Sequence, residues 1–177
     1  MYKRQTYDDL SGKDLTLTII NTNARSLCPK IESLITCLDE MDAAFGVITE
    51  TWFTTSIALE NDLADLRGRA GLSVLATNRD PNPQGVSHGG VAIVFNEARC
   101  GFVQIDVANP SCWEVVVGCG RFVGFGKPVL VVGCYLPPGY TVPKGAAALA
   151  FVRDVVTDLK RKYDDPYIVV ALSLIHI

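Results

Sequence analysis

Leu15-Thr16-Leu17-Thr18-Ile19-Ile20 alternates apolar and β-branched polar side chains, the pattern of a half-buried strand. From Leu27 the period changes. Leu27, Ile31, Leu34, Ile35, Leu38 and Met41 recur every three or four residues and fall on one helical face, with Pro29 in the first turn, where its missing N–H costs nothing. Ala44-Phe45-Gly46-Val47-Ile48-Thr49 then returns to an apolar run, short enough for a buried strand. The chain therefore opens β-α-β.

Outward from that unit, 54–70 is polar and weakly helical, and short strands are expected at 72–77, 91–95, 102–106 and 113–118. Turn chemistry separates them at Asp80-Pro81-Asn82-Pro83-Gln84-Gly85, Gly89-Gly90 and Asn109-Pro110. A strongly apolar strand over 129–135 is closed by Pro137-Pro138-Gly139. A second amphipathic helix spans roughly 145–162, with Ala148, Val152, Val155, Val156, Leu159 and Tyr163 inward, and a strand follows at 167–170. This order implies an α/β (α+β) protein of stacked mixed sheets with helices outside. Such folds collect functional groups at strand ends and on the loops beyond them.

The first 13 residues are polar and read as a loose leader. At the other end, Leu172-Ser173-Leu174-Ile175-His176-Ile177 is what CTG-TCT-CTT-ATA-CAC-ATC encodes, the mosaic end of a transposase-based sequencing adapter. Residues 172–177 are accordingly read as a library artefact, with 14–171 as one domain. The protein is expected to have continued differently after Val170.

With 49% apolar and 20% charged residues the chain can build a globular core and is not a disordered protein. A formal charge of -3 argues against a protein that grips nucleic acid by charge alone, but not against one whose phosphate-facing site is neutralised by a metal. The six cysteines include no Cys-x-x-Cys pair, so no zinc-site spacing is present. With no secretory signal, they read as reduced thiols of an intracellular protein. Apolar runs such as 129–132 are too short to span a bilayer, so no membrane partner is expected.

Three residues stand where chemistry is expected. Glu50 follows a buried strand, where a carboxylate is poorly solvated unless paired. A hard cation would pair it, since Mg2+ takes one or two carboxylates plus water and phosphate oxygens; a solvated loop glutamate or a helix-cap partner would look the same in sequence. Asn23 ends the first strand, where its amide oxygen could complete a metal shell or position a metal-bound water, and where Asn is also common for turn chemistry alone. Tyr135 ends an apolar strand before a Leu-Pro-Pro turn; its hydroxyl could donate to a phosphate oxygen or simply cover the core's rim. Arg25, Trp52 and His88 are the candidates for nucleic-acid contact, although by its own loop His88 reads as a surface residue. Lys30, Arg67, Arg69 and Arg79 could also touch phosphates. Gly89-Gly90 is too short for a phosphate-cradling loop, and Ser26 lacks a nucleophile-elbow context, which removes Ser/His/Asp catalysis.

Taken in order, Asn23-Ala24-Arg25-Ser26-Leu27, Glu50-Thr51-Trp52, Gly89-Gly90-Val91-Ala92-Ile93 and Tyr135-Leu136-Pro137-Pro138 resemble the endonuclease/exonuclease/phosphatase superfamily. Within it they look most like the endonuclease domain of non-LTR (LINE-type) retrotransposons. The resemblance covers about 15–170 and implies a partial four-layer α/β sandwich of two mixed sheets flanked by helices, its later strands missing. It implies Mg2+-dependent (or Mn2+-dependent) hydrolysis of a DNA phosphodiester, with a reverse transcriptase downstream in the same polypeptide and action in the nucleus. By that resemblance Glu50 would bind the metal, Asn23 would help organise metal and phosphate, and Tyr135 would stabilise the transition state. The family's next element is Gly-Asp-Phe-Asn, whose Asp orients the attacking water. Here Ala171 stands in its Gly position and the Asp and Asn are absent, as are the later Asp and His. The resemblance therefore implies an enzyme in the complete protein and an inactive fragment in this one. The alternatives are a host phosphoesterase of the same superfamily, such as an abasic-site endonuclease or phosphatase, and a non-catalytic remnant or interaction module.

Overall fold

The computed structural model describes residues 3–8, 16–53, 64, 68, 71–77, 89–107, 113–122, 124–137 and 141–174. Among them nine strands and two long α-helices follow one another: β1 (Lys3–Asp8), β2 (Thr16–Asn23), α1 (Ile31–Glu40), β3 (Phe45–Thr49), β4 (Leu72–Thr77), β5 (Val91–Asn96), β6 (Cys100–Gln104), β7 (Glu114–Phe122), β8 (Val129–Leu136), α2 (Val142–Lys162) and β9 (Tyr167–Leu174). A 3-10 turn, Cys28–Lys30, carries Pro29 and leads into α1. The strands form a sheet of five in the order β1-β2-β3-β5-β4 and a sheet of four in the order β6-β7-β8-β9. Both sheets are mixed, because β2–β3 and β8–β9 are parallel while the other pairs are antiparallel.

Strand alternation builds the layers, since successive side chains point to opposite faces. Leu17, Ile19, Phe45, Val47, Val91 and Ile93 face the second sheet, which meets them with Val116, Val129, Val131, Tyr135 and Val169. The intervening residues Ile20, Ile48, Ala92 and Val94 face outward and are covered by Leu34 and Leu38 of α1. On the far side Val115, Val117, Leu130 and Val132 are covered by Ala148, Val152 and Leu159 of α2. The result is the partial four-layer sandwich that the family resemblance implies, with a helix covering the outer face of the central strands of each sheet.

Gly133 measures how closely the sheets approach. A Cβ there would lie 2.8 Å from Cγ1 of Val47 and 3.0 Å from methyls of Val116 and Val91, all on β-branched side chains with little rotamer freedom. Gly133→Ala is expected to destabilise by about 2 kcal/mol, read as a drop of roughly 6 °C in Tm. Gly145→Ala is the control. Among the described residues, apart from its chain neighbours and the local backbone of α2, no atom lies within 4 Å of where a methyl on Gly145 would stand, so that change should be neutral or stabilising by ~0.5 kcal/mol.

Several sequence boundaries shift. The expected leader is partly structured, because 3–8 pairs antiparallel with β2 as an edge strand. A backbone ladder needs N–H and C=O groups rather than apolar side chains, so composition hid it. The last strand, expected over 167–170, continues to Leu174, and Leu172, Ser173 and Leu174 pair with Cys134, Tyr135 and Leu136. The expected 102–106 and 113–118 strands lie at Cys100–Gln104 and Glu114–Phe122. The expected turn at 80–85 and the Asn109-Pro110 turn lie outside the described residues, as do Arg67, Arg69, Arg79 and His88; so does the polar stretch over 54–70, apart from residues 64 and 68. Burial pushes the Cys100 and Cys134 thiols up to about 12, so both are protonated core side chains. No helix of the described residues is long and apolar enough to cross a membrane.

Candidate active site

The parallel strands β2 and β3 end together, beside the last residues of β8. Alternation alone turns two of the three expected residues inward: Asn23 shares parity with Leu17 and Ile19, and Tyr135 with Val129 and Val131. Glu50 shares parity with Ile48, which faces α1, so a continued strand would send its carboxylate to the helix side. The backbone breaks the alternation there. Glu50 has φ 53° and Trp52 φ 54°, left-handed values that cost an ordinary residue on the order of 1 kcal/mol.

That turn brings the three side chains together. Glu50 Oε1 accepts a hydrogen bond from Asn23 Nδ2 at 2.8 Å and another from the Tyr135 hydroxyl at 3.2 Å. Glu50 and Tyr135 are buried, 7% and 3% exposed, while Asn23 sits at the open rim. The cluster therefore has a solvent side at β2 and a buried side at β8.

Paired loops hold the strained backbone. Ala24 N–H donates to Thr49 O at 2.8 Å, Ser26 N–H to Glu50 O at 2.9 Å and Leu27 N–H to Thr51 O at 3.0 Å, which prolongs the β2–β3 ladder past both strand ends. Trp52 N–H donates to Gly89 O at 3.0 Å and ties the same loop to the segment before β5. Arg25 and Ser26 are also left-handed, at φ 47° and 79°. Among the described residues, the remaining non-glycine positions with positive φ are Asp42, Asp164 and Asp165, a residue type that tolerates the conformation. Strain in less tolerant types is thus concentrated beside Glu50, as it commonly is where a site is pre-shaped.

The Asn23 amide presents its nitrogen, not its oxygen, to Glu50. Its Oδ1 accepts the Arg25 N–H at 3.1 Å and its Nδ2 faces the carboxylate. A backbone N–H only donates and a carboxylate only accepts, so the two contacts fix the amide unambiguously. Lys30 is also committed: its ammonium donates to the carbonyls of Ala24 and Arg25. Arg25 is exposed beside the rim, and Trp52 is half-buried.

Sequence reasoning passed over Glu114. It is 4% exposed, stands opposite Tyr135 in the β7–β8 register, and shares the inner-face parity of Val116. Its carboxylate packs against Gly89, where a Cβ would lie 3.1 Å from Oε1. The available signal was a charged residue on the inward parity of an otherwise apolar strand. Cys134, next to Tyr135, faces the helix side instead; its thiol is raised first by burial and then by the negative charge of Glu114, so it is no nucleophile.

No family model and no curated protein matches the chain by sequence. Among solved structures it is similar to an endonuclease/exonuclease/phosphatase family protein from Bacteroides thetaiotaomicron, with a TM-score of 0.61 and 12% identity over 91% of this chain and 59% of that one. It is similar to D. rerio TDP2 complexed with single strand DNA product, with a TM-score of 0.56 and 13% identity over 88% of this chain and 59% of that one. It is also similar to the endonuclease domain of TRAS1, a telomere-specific non-LTR retrotransposon, with a TM-score of 0.50 and 15% identity over 76% of this chain and 52% of that one. The chain has the endonuclease/exonuclease/phosphatase fold. It spans between 52% and 59% of the length of these structures. Likeness at such identities establishes the fold, which hosts nucleases and phosphatases alike, so the chemistry has to be argued from the site.

Within that fold the donor set fits a hard cation. Among the described residues no three His, Cys, Asp or Glu side chains gather at one point. A cation here would therefore be held by the Glu50 carboxylate and completed by water and substrate oxygens, an arrangement Mg2+ accepts and Zn2+ or Ca2+ would not favour. Both donors fall on Oε1, and a carboxylate offers about four lone-pair sites, so ligating capacity remains.

Proposed function

We propose that the complete protein is a Mg2+-dependent (or Mn2+-dependent) DNA endonuclease of the non-LTR retrotransposon type, and that this chain supplies one side of its site. The observation that carries the reading is the shared Oε1 of Glu50, on which an amide from β2 and a phenol from β8 converge. Glu50 would hold the cation, which supplies neutralisation of phosphate charge and of the leaving oxygen. Asn23 orients that carboxylate through Nδ2 and stands at the rim, where the same amide can donate to a phosphate oxygen. The Tyr135 hydroxyl is a neutral donor, suited to charge that develops on a non-bridging oxygen. Arg25 and Trp52, exposed and half-buried on the loops that follow β2 and β3, would meet the strand.

DNA as substrate is supported by the two nucleic-acid-related neighbours, TDP2 with its single strand DNA product and the TRAS1 endonuclease domain. The Asn-Ala-Arg-Ser-Leu and Glu-Thr-Trp forms favour the retroelement type over a host phosphoesterase. A reverse transcriptase in the same reading frame, and a nuclear site of action, follow from that type.

The 177-residue polypeptide itself is expected to leave supercoiled plasmid uncut in Mg2+. Its described cluster holds two neutral donors and one cation-binding carboxylate, and Ser173 rather than an acid stands beside Tyr135 on β9. Nicking that disappears in Glu50→Ala would overturn this inactivity. The wider reading is tested on a complete protein in which Val170 is followed by Gly-Asp-Phe-Asn. That protein should convert supercoiled plasmid to open circles bearing a 3′ hydroxyl. Release of phosphate from monoesters, with plasmid left intact, would sink the endonuclease in favour of a phosphatase.

A further inference from the structure

The geometry points to Glu114 as a positioning residue for Glu50, acting through the backbone of Gly89. This rests on the reading of Glu50 as the cation-holding carboxylate, and extends it to a residue with no place in that scheme. Glu114 and Tyr135 are direct cross-strand partners on the inner face, 4% and 3% exposed. Side chains so placed are in contact range along their length. On its other side the Glu114 carboxylate lies flat on Gly89: a Cβ there would meet Oε1 at 3.1 Å and Cδ and Oε2 at 3.4 Å. Gly89 also has φ 131°, which L side chains rarely adopt, so two independent constraints keep that position bare.

The carbonyl of Gly89 accepts the Trp52 N–H at 3.0 Å, and Trp52 lies two residues beyond Glu50 in the left-handed turn. Tyr135 donates to Glu50 Oε1 at 3.2 Å. Glu114 is thus linked through Gly89 and the Trp52 turn to Glu50, and Glu50 through a hydrogen bond to Tyr135, the register partner of Glu114. An apolar side chain would fill the same space without the cost of burying a carboxylate, so packing alone does not account for Glu114. The role assigned to Glu114 is to hold Gly89, and through Gly89 the turn that aims Glu50.

The role predicts that reach matters and charge does not. Glu114→Gln keeps length and an acceptor oxygen; Glu114→Asp keeps the charge and withdraws it by one methylene. Mn2+ retention by the purified polypeptide, followed by electron paramagnetic resonance, separates the two, with circular dichroism melts confirming that each variant is folded. Glu114→Gln should bind Mn2+ within about threefold of the unaltered chain, and Glu114→Asp about tenfold more weakly, the usual effect of losing a residue behind a ligand. Gly89→Ala should weaken binding as Glu114→Asp does, and the double variant should be no weaker than the weaker single one, because both break one contact.

A purely structural role would move the melts and leave the affinity of the folded protein unchanged, which overturns the inference. The reverse order, Gln weak and Asp strong, overturns it by making the charge the active property. So does weakness in both, which assigns Glu114 to the cation itself. If Glu50→Gln abolishes retention while both Glu114 variants bind normally, only this inference falls. If Glu50→Gln retains Mn2+ like the unaltered chain, the reading of Glu50 falls and takes this one with it.

Discussion

Phe45→Ala is expected to lower the free energy of unfolding by about 4 kcal/mol. Phe45 begins β3 and is fully buried between the sheets. Its ring meets Phe102 edge-on at 5.3 Å and Phe122 at 5.9 Å, and Phe102 in turn meets Phe95 at 5.2 Å and Phe122 at 5.5 Å. These rings come from β3, β5, β6 and β7, so the cluster joins the two sheets. Removing the Phe45 ring loses transfer energy and leaves a cavity that stiff neighbouring strands cannot close. Against a total of roughly 5–15 kcal/mol for a domain, that is a large share. Urea unfolding should show the midpoint falling by roughly 2 M with the slope unchanged. A loss below ~1 kcal/mol would mean the sheets do not pack on this cluster.

The position of that cluster matters for function too. Phe45 and Glu50 lie at opposite ends of β3, so the aromatic end stabilises the sandwich while the other end is left for strained loops and buried polar groups. Phe45→Ala should therefore reduce stability without changing the cation affinity of whatever protein remains folded. Sequence periodicity exposed this division unevenly. The 3.6-residue spacing of Leu34 and Leu38 and the apolar runs of β3, β5 and β8 were legible, because each is decided by local burial. Edge strand β1 was not, since its pairing uses only backbone. Glu50 stood out because a carboxylate after a buried run is conspicuous. Its actual direction was not legible, because parity sends it toward α1 and only a left-handed turn reverses that.

Glu114 was missed for a related reason. Its significance lies in standing across from Tyr135, and strand register is a tertiary fact that no window of sequence contains. Which atom of the Asn23 amide meets Glu50 was not legible, because it depends on Arg25 N–H occupying the other.

Glu50→Gln is expected to reduce Mn2+ affinity by roughly 100-fold or more, at or beyond the upper end of what outer-shell changes cost. Its effect on the metal-free fold should have the opposite sign. The amide oxygen of Gln can still accept from Asn23 Nδ2 and the Tyr135 hydroxyl, so neither donor is orphaned. What disappears is a negative charge that is only 7% exposed, and relief of that desolvation should leave the melting temperature unchanged or higher. Mn2+ should raise the melting temperature of the unaltered chain, since a ligand that binds only the folded state stabilises it in proportion to RT ln(1 + [L]/Kd). The variant should melt at one temperature with or without the ion. The two measurements together test the site's economy of charge: a carboxylate kept at a cost to folding because a cation offsets it. Equal stabilisation of both proteins by Mn2+ would place the ion elsewhere. A variant that melts far below the parent without metal would make Glu50 a structural anchor, with the amide and phenol serving to satisfy it.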